Sequence, residues 1–407
     1  MLSAVGDYAV GAVGTANSYI GIFIIMFSII SSGMVSVMTQ NIGAGRPGVA
    51  YQARQLGLLF NAVAGVLMAV FLFSGAGAIL RMVGIADALY EPALIYLKIV
   101  GGGCILNAVI PIFSSYLRAF GYTKQPLYAT IVGNIANFVM NAVFLFVLHK
   151  GVAGVAAATV ISKILNLCIV LYFSHKLISA KNSTERIANK TVLGQIVKVG
   201  LPSACETALY NVAMMLVIRF LNQMDAEGLN VTARSYTATI SNFSYCVGAA
   251  LAQANAIMTG WHIGAGELEE CDRGTKRAAF VGVCVAVCME TAIVLGSGFI
   301  MPLFTDNPEM TALVRKLLAI DIVLEIGRVT NLVFGQALKT SGDAVFPAVI
   351  AAVFMFVFAV GGTWLFGISM GLMAVGAYIG LASDECVRAV GMVWRWKTGK
   401  WRTKKLV

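Results

Sequence analysis

The chain has 407 residues, 59% of them hydrophobic and 12% charged, with a formal net charge of +10 and a mean hydropathy of +0.83. A soluble domain carries about twice that charged fraction, so composition excludes one and leaves a polytopic membrane protein. The apolar runs are too long for strands and do not alternate, which leaves an all-α integral membrane fold.

In chain order, the apolar runs predict eleven spans at roughly 14–41, 53–80, 92–117, 126–148, 152–175, 193–222, 233–260, 277–303, 313–337, 344–367 and 371–396. Residues 1–14 lack the basic start and apolar core of a cleavable leader, and hold Gly6, Asp7 and Gly11 instead. Several spans exceed the roughly 20 residues that a bilayer requires, which predicts tilt or breaks. Gly101-Gly102-Gly103 and Pro111 interrupt the third, and Pro202 lies near the start of the sixth.

The first five spans contain almost no ionisable residues. Asn134, Asn137 and Asn141 share a face of the fourth span, Lys163 and Asn166 lie on the fifth, and Gln40 ends the first. These amides read equally as hydrogen-bonding glue between helices or as the wall of a cation or substrate path. From Ser174 to Lys198 the chain is polar, with Lys176, Lys181, Arg186 and Lys190, and reads as a cytoplasmic linker. The expected organisation is an N-lobe over 1–176, a linker over 177–192, a C-lobe over 193–396 and a basic cytoplasmic tail over 397–407.

The last six spans carry buried charge, and each ionisable group costs about 2.5–3.5 kcal/mol at a helix centre. Glu206 follows Pro202 by four residues. Asp321, Glu325, Arg328 and Asn331 form a stripe at i, i+4, i+7 and i+10, which must face the lobe interior or a water-filled cavity. Asp384, Glu385 and Arg388 lie two-thirds along the last span and read as a clamp at its inner end. Glu206 and Asp321 have no local basic partner, so either can exchange a proton or hold Na⁺. Glu290 stands alone in its span, where a single satisfied hydrogen bond is the plainer account.

Nineteen of the 29 Lys and Arg fall in alternate loops and the C-terminal stretch. By the positive-inside rule those loops and the C-terminus are cytoplasmic, so the basic balance follows the membrane and does not indicate nucleic acid. There is no GxxxxGK[ST], HExxH, CxxC or GxSxG, and an enzyme is not expected. The eight cysteines read as buried small hydrophobes.

The chain also repeats itself. Thr15-Ala16-Asn17-Ser18-Tyr19 returns as Thr232-Ala233-Arg234-Ser235-Tyr236, and Ile42-Gly43-Ala44-Gly45 as Ile263-Gly264-Ala265-Gly266. Gly121 and Pro126 return as Gly342 and Pro347. The second copy opens with a span, 193–222, that has no counterpart before Thr15. Repeat and charge pattern each predict a twelve-helix plan lacking its first helix.

With Gln40-Asn41-Ile42-Gly43-Ala44-Gly45 and its echo, the stretch Glu325 to Asn331, Ala337 to Asp343 with Pro347, and Asp384-Glu385-Cys386-Val387-Arg388 with Arg395 to Trp401, the chain resembles the multidrug and toxic compound extrusion (MATE) family. The resemblance implies two lobes and multi-pass insertion in the cytoplasmic membrane. It also implies an antiporter that exports organic cations or drugs by alternating access, driven by Na⁺ or H⁺. No other cofactor and no metal beyond Na⁺ is expected; the partners are small organic cations and the lipid bilayer, and the chain is read as a monomer. Coupling acids in the family lie on the seventh and tenth helices, which match Glu206 and Asp321/Glu325 by helix. In the N-lobe the matched position is Asn141, so coupling is expected in the C-lobe. The alternatives are a lipid-linked precursor flippase, which an excess of buried bases would favour, and a non-transporting fragment.

Overall fold

A computed structural model describes residues 7–82, 85–178, 185–225 and 227–407. Their regular structure is helical: α1 (Asp7–Gly43), α2 (Pro47–Met82), α3 (Asp87–Gly102), α4 (Cys104–Ala119), α5 (Lys124–Ala142), α6 (Gly151–Leu177), α7 (Asn189–Met224), α8 (Leu229–Ala265), α9 (Leu268–Ile300), α10 (Pro308–Thr340), α11 (Val345–Phe354) and α12 (Met373–Lys397). Every predicted span coincides with a helix or with two in series.

The span predicted over 92–117 is α3 and α4, bent by 40° at Gly103. The bend falls where three successive glycines leave the turn without side-chain packing. Two other spans widen instead of breaking. The helix of α5 continues through a π-helical stretch at Val143–Val147, and α11 continues through Met355–Val360 and Thr363–Ser369.

Among the described residues six helices are long and apolar enough to cross a bilayer, and the bent α3–α4 pair makes a seventh. The predicted spans 233–260, 313–337 and 371–396 correspond to α8, α10 and α12, which have sufficient length but carry polar side chains. In α10 and α12 those side chains are the charged stripe and Asp384, Glu385 and Arg388, so the residues that make a site also dilute the hydropathy.

The chain divides into two compact units, Met1–Ile42 with Arg46–Gly200, and Gly43–Gly45 with Leu201–Val407. In the first, α2 packs against α3 and α4, and α6 against α3, α4 and α5. Leu72, Leu80, Leu97, Val100 and Cys104 contribute to its buried core. Gly33 of α1 and Gly200 of α7 meet a neighbouring backbone so closely that a Cβ would lie 1.9 Å from the Ile196 carbonyl oxygen or 1.8 Å from that of Ile29. Only hydrogen fits there.

Part of the predicted linker, residues 179–184 with Lys181, lies outside the described residues. The stretch 185–188 is held to α2, because Gln52 donates to the Ile187 carbonyl at 2.7 Å and accepts from its amide at 3.2 Å. The linker is shorter than predicted, since α7 already begins at Asn189.

In the second unit α10 is the central element, packed against α8, α9 and α12. The α7–α8 turn is closed by Asp225, whose carboxylate accepts from the amides of Leu229 at 2.9 Å and Asn230 at 3.0 Å. Burial pushes that carboxyl up, but the bonds from Asn230 and Leu229 outweigh it and hold it below the ordinary carboxylate range. The stretch predicted as a basic tail folds back onto the unit. Trp401 stacks on Trp396 with ring centroids 4.2 Å apart, and Leu406 is buried.

Candidate functional site

The site of the second unit begins with a glycine. At Gly327 an added Cβ would lie 2.7 Å from the backbone nitrogen of Cys386, so α10 and α12 touch backbone to backbone. At Gly282 of α9 and Gly248 of α8 an added Cβ would lie 2.8 Å from a side-chain methyl of Val329. Small residues on three helices thus let α10 lie close to its neighbours at the level of its charged stripe.

That proximity makes a network. Arg328 pairs with Glu325, one turn before it, and approaches Glu385 of α12 at 3.8 Å. Glu385 also accepts from Arg388 at 2.8 Å and from Asn331 at 3.0 Å. Arg388 reaches Asp384 through two nitrogens, at 3.0 and 2.7 Å. The predicted inner-end group is therefore joined to the α10 stripe through Glu385, which stands between two guanidinium groups.

Beside this network lies a cavity of about 330 Å³, whose wall includes Tyr210, Arg234, Tyr245, Asp321, Arg328 and Glu385. The guanidinium of Arg328 sits 5.7 Å from the Tyr245 ring centre. On the α9 side, one carboxylate oxygen from each of Glu290, Asp321 and Glu325 lies within 4.8 Å of the other two. All three side chains are buried. Both oxygens of Glu290, Oδ2 of Asp321 and Oε2 of Glu325 lack a hydrogen-bond partner. The cavity and triad together gather five carboxylates (Glu290, Asp321, Glu325, Asp384, Glu385) around three guanidinium groups (Arg234, Arg328, Arg388).

Tertiary packing adds to two of the readings. Glu206 has no basic partner nearby in sequence, and Lys339 of α10 lies 2.7 Å away. The partner comes from the far end of α10, which no local spacing reveals. Glu290 was read as standing alone in its span with a single satisfied hydrogen bond; Ser244 lies beside it, but it also faces the acids of α10. Its only sequence signal was an acid in the middle of an apolar run.

The first unit differs in chemistry. Asn137 donates to Ser162 at 3.3 Å and Asn141 to Asn137 at 3.0 Å, while Asn134 is exposed. Lys163 of α6 donates to Asn107 of α4 at 2.7 Å. Gln40 is buried. The described acids of this unit, Asp87, Glu91 and Glu185, lie at a helix start or in a loop, and none approaches Lys163 as an ion pair.

The comparisons with known proteins agree with this architecture. The family model MatE matches residues 1–143 and 202–365. The chain is 32% identical over 410 residues to the uncharacterized transporter YisQ of Bacillus subtilis, covering 99% of this chain and 90% of that one. It is 24% identical to the probable multidrug resistance protein YoeA of the same organism, covering 86% and 78%. A crystal structure of MATE in the straight conformation superposes with a TM-score of 0.87 at 21% identity, over 99% of this chain and 91% of that one.

Proposed function

The chain belongs to the MatE family of multi-pass membrane transporters, and on that premise we propose that it is an antiporter exporting organic cations across the cytoplasmic membrane. In this reading inward movement of Na⁺ or H⁺ drives export by alternating access, and the C-terminus faces the cytoplasm. One observation carries it: the cavity of about 330 Å³ and the acid triad beside it bring together five carboxylates, against three guanidinium groups when Arg388 is included. Uncompensated charge inside a bilayer costs several kcal/mol per group, so this unit is stable only when it takes up positive charge. A coupling ion and a cationic substrate can each supply it, and a group served by either makes their binding mutually exclusive. That exclusion is the thermodynamic requirement of antiport.

Asp321 and Glu325 take the coupling charge in this mechanism. Arg328, held between Glu325 and Glu385, transmits their state to α12. Loading Glu325 weakens its hold on Arg328, which then turns toward Glu385. Glu206 with Lys339 ties α7 to α10, and Glu385 with Asn331 ties α12 to α10.

The test is uptake of a fluorescent cationic dye into everted membrane vesicles containing the chain, under an imposed pH or Na⁺ gradient. Gradient-dependent uptake is expected, and the gradient that supports it identifies the coupling ion. Absence of uptake under both gradients, with the protein present in the membrane, overturns the proposal.

A further inference from the structure

We propose that Glu290 of α9 completes, with Asp321 and Glu325 of α10, a dehydrated binding site for a small inorganic cation, sodium or the protons that replace it. The inference rests on the coupled transport proposed above and adds a third ligand to it. Four features of the structure converge on Glu290.

It is fully buried in the middle of α9, and both its oxygens lack partners. A carboxylate in that position is strongly destabilising unless something positive meets it. The two guanidinium groups of the network are engaged by other acids: Arg328 by Glu325 and Glu385, and Arg388 by Asp384 and Glu385.

The three carboxylates have the right spacing. Oxygens within 4.8 Å of one another can all reach one central ion at the roughly 2.3–2.6 Å of a weakly hydrated, oxygen-ligated cation. Magnesium is disfavoured, since it requires about 2.0–2.1 Å and keeps its waters.

Two neutral oxygen ligands stand beside the acids. The hydroxyls of Ser241 and Ser244, one turn apart on α8, lie against Asp321 and Glu290 respectively. Both serines are buried, and each hydroxyl has one of these acids as its neighbour. A hydroxyl beside a carboxylate keeps a second lone pair free, so both can add a neutral oxygen to a cation held by the acids. The site would thus draw on α8, α9 and α10.

Finally, the acid of α7 is committed elsewhere. Glu206 is neutralised by Lys339, so the ligand set excludes it and takes Glu290 in its place.

The experiment uses the purified full-length chain in detergent, read by thermal unfolding and by binding of radioactive sodium. Sodium added at about pH 8, against choline at equal ionic strength, is expected to raise the unfolding temperature, with the shift lost in Glu290→Gln. Ser244→Ala should weaken sodium binding about tenfold, and Glu290→Asp should retain weakened binding. Glu270→Gln, on the exposed start of α9, serves as a control and should match the parent. If protons are the occupant, sodium has no effect, and potentiometric titration instead finds a bound proton in the parent that is missing in Glu290→Gln. A Glu290→Gln protein that folds and binds sodium and protons like the parent overturns the site. Should that variant fail to accumulate, parent-like sodium and proton binding by Ser244→Ala and Glu290→Asp together overturns it. Dye uptake separates the two readings: parent-like gradient-driven uptake by Glu290→Gln leaves the transporter in place and removes this ligand.

Discussion

Glu325 and Glu385 both touch Arg328, yet their surroundings assign them different work. Glu325 is fully buried, has one oxygen without a partner, and belongs to the acid triad. Glu385 is bonded by Arg388 and Asn331 and approached by Arg328. Glu325→Gln is therefore expected to abolish gradient-driven dye uptake at normal abundance in the membrane. Glu385→Gln leaves Arg388 and Arg328 short of a counter-charge, and breaking a buried pair costs about 3–5 kcal/mol, so it should chiefly lower abundance. Quantitative blotting beside the uptake assay separates the two; loss of uptake at full abundance in Glu385→Gln would give it a transport role. The α10 stripe was legible because its spacing of i, i+4 and i+7 lies within one helix. Glu206–Lys339 and Glu290–Asp321 were not, because tertiary packing joins residues from different helices.

Among elements, the crossings are fixed by glycines more than by large side chains. Gly327→Val places new atoms against the α12 backbone at Glu385 and Cys386. Overpacking of this kind costs about 1–3 kcal/mol or more, and here it also separates Arg328 from Glu385. A lower unfolding temperature and reduced uptake are expected together; parent-like values in both would mean that α10 and α12 are not so closely packed. The α7–α8 turn offers a pH-dependent counterpart. Asp225 has its carboxyl held below the ordinary range by the amides it caps. Its contribution is fully present above about pH 4 and is lost as pH falls through the lowered value. Asp225→Asn should lower the unfolding temperature at neutral pH, by a capping energy of about 1 kcal/mol, with the difference from the parent narrowing in acid. A constant difference across that range would remove the charge from the account. The long helices were readable from apolar runs, and the glycine triplet marked the bend at Gly103. The π-helical turns of α11 left no trace in composition, because they shift backbone hydrogen bonds without requiring a particular side chain.

For the whole molecule, the two units divide the labour of a repeated sequence unequally. Amides, with the bases Lys163 and Arg54, occupy the interior of the first, while acids and arginines occupy the second. The polarity of the second unit also has a consequence for how the chain is made. Asp321, Glu325 and Arg328 each add about 2.5–3.5 kcal/mol to the transfer of α10 from the insertion machinery into lipid, and α12 bears the same burden with Asp384, Glu385 and Arg388. Each helix partitions poorly alone, and Glu385 of α12 meets Arg328 and Asn331 of α10. Biogenesis of this half is therefore post-insertional and collective: α10 must wait beside the channel, shielded, until α12 has been translated. In a glycosylation-mapping assay, α10 presented alone should fail to insert, whereas the continuous α8–α12 segment should insert fully. Efficient insertion of α10 by itself would show that its site is assembled without help from the helices synthesised after it.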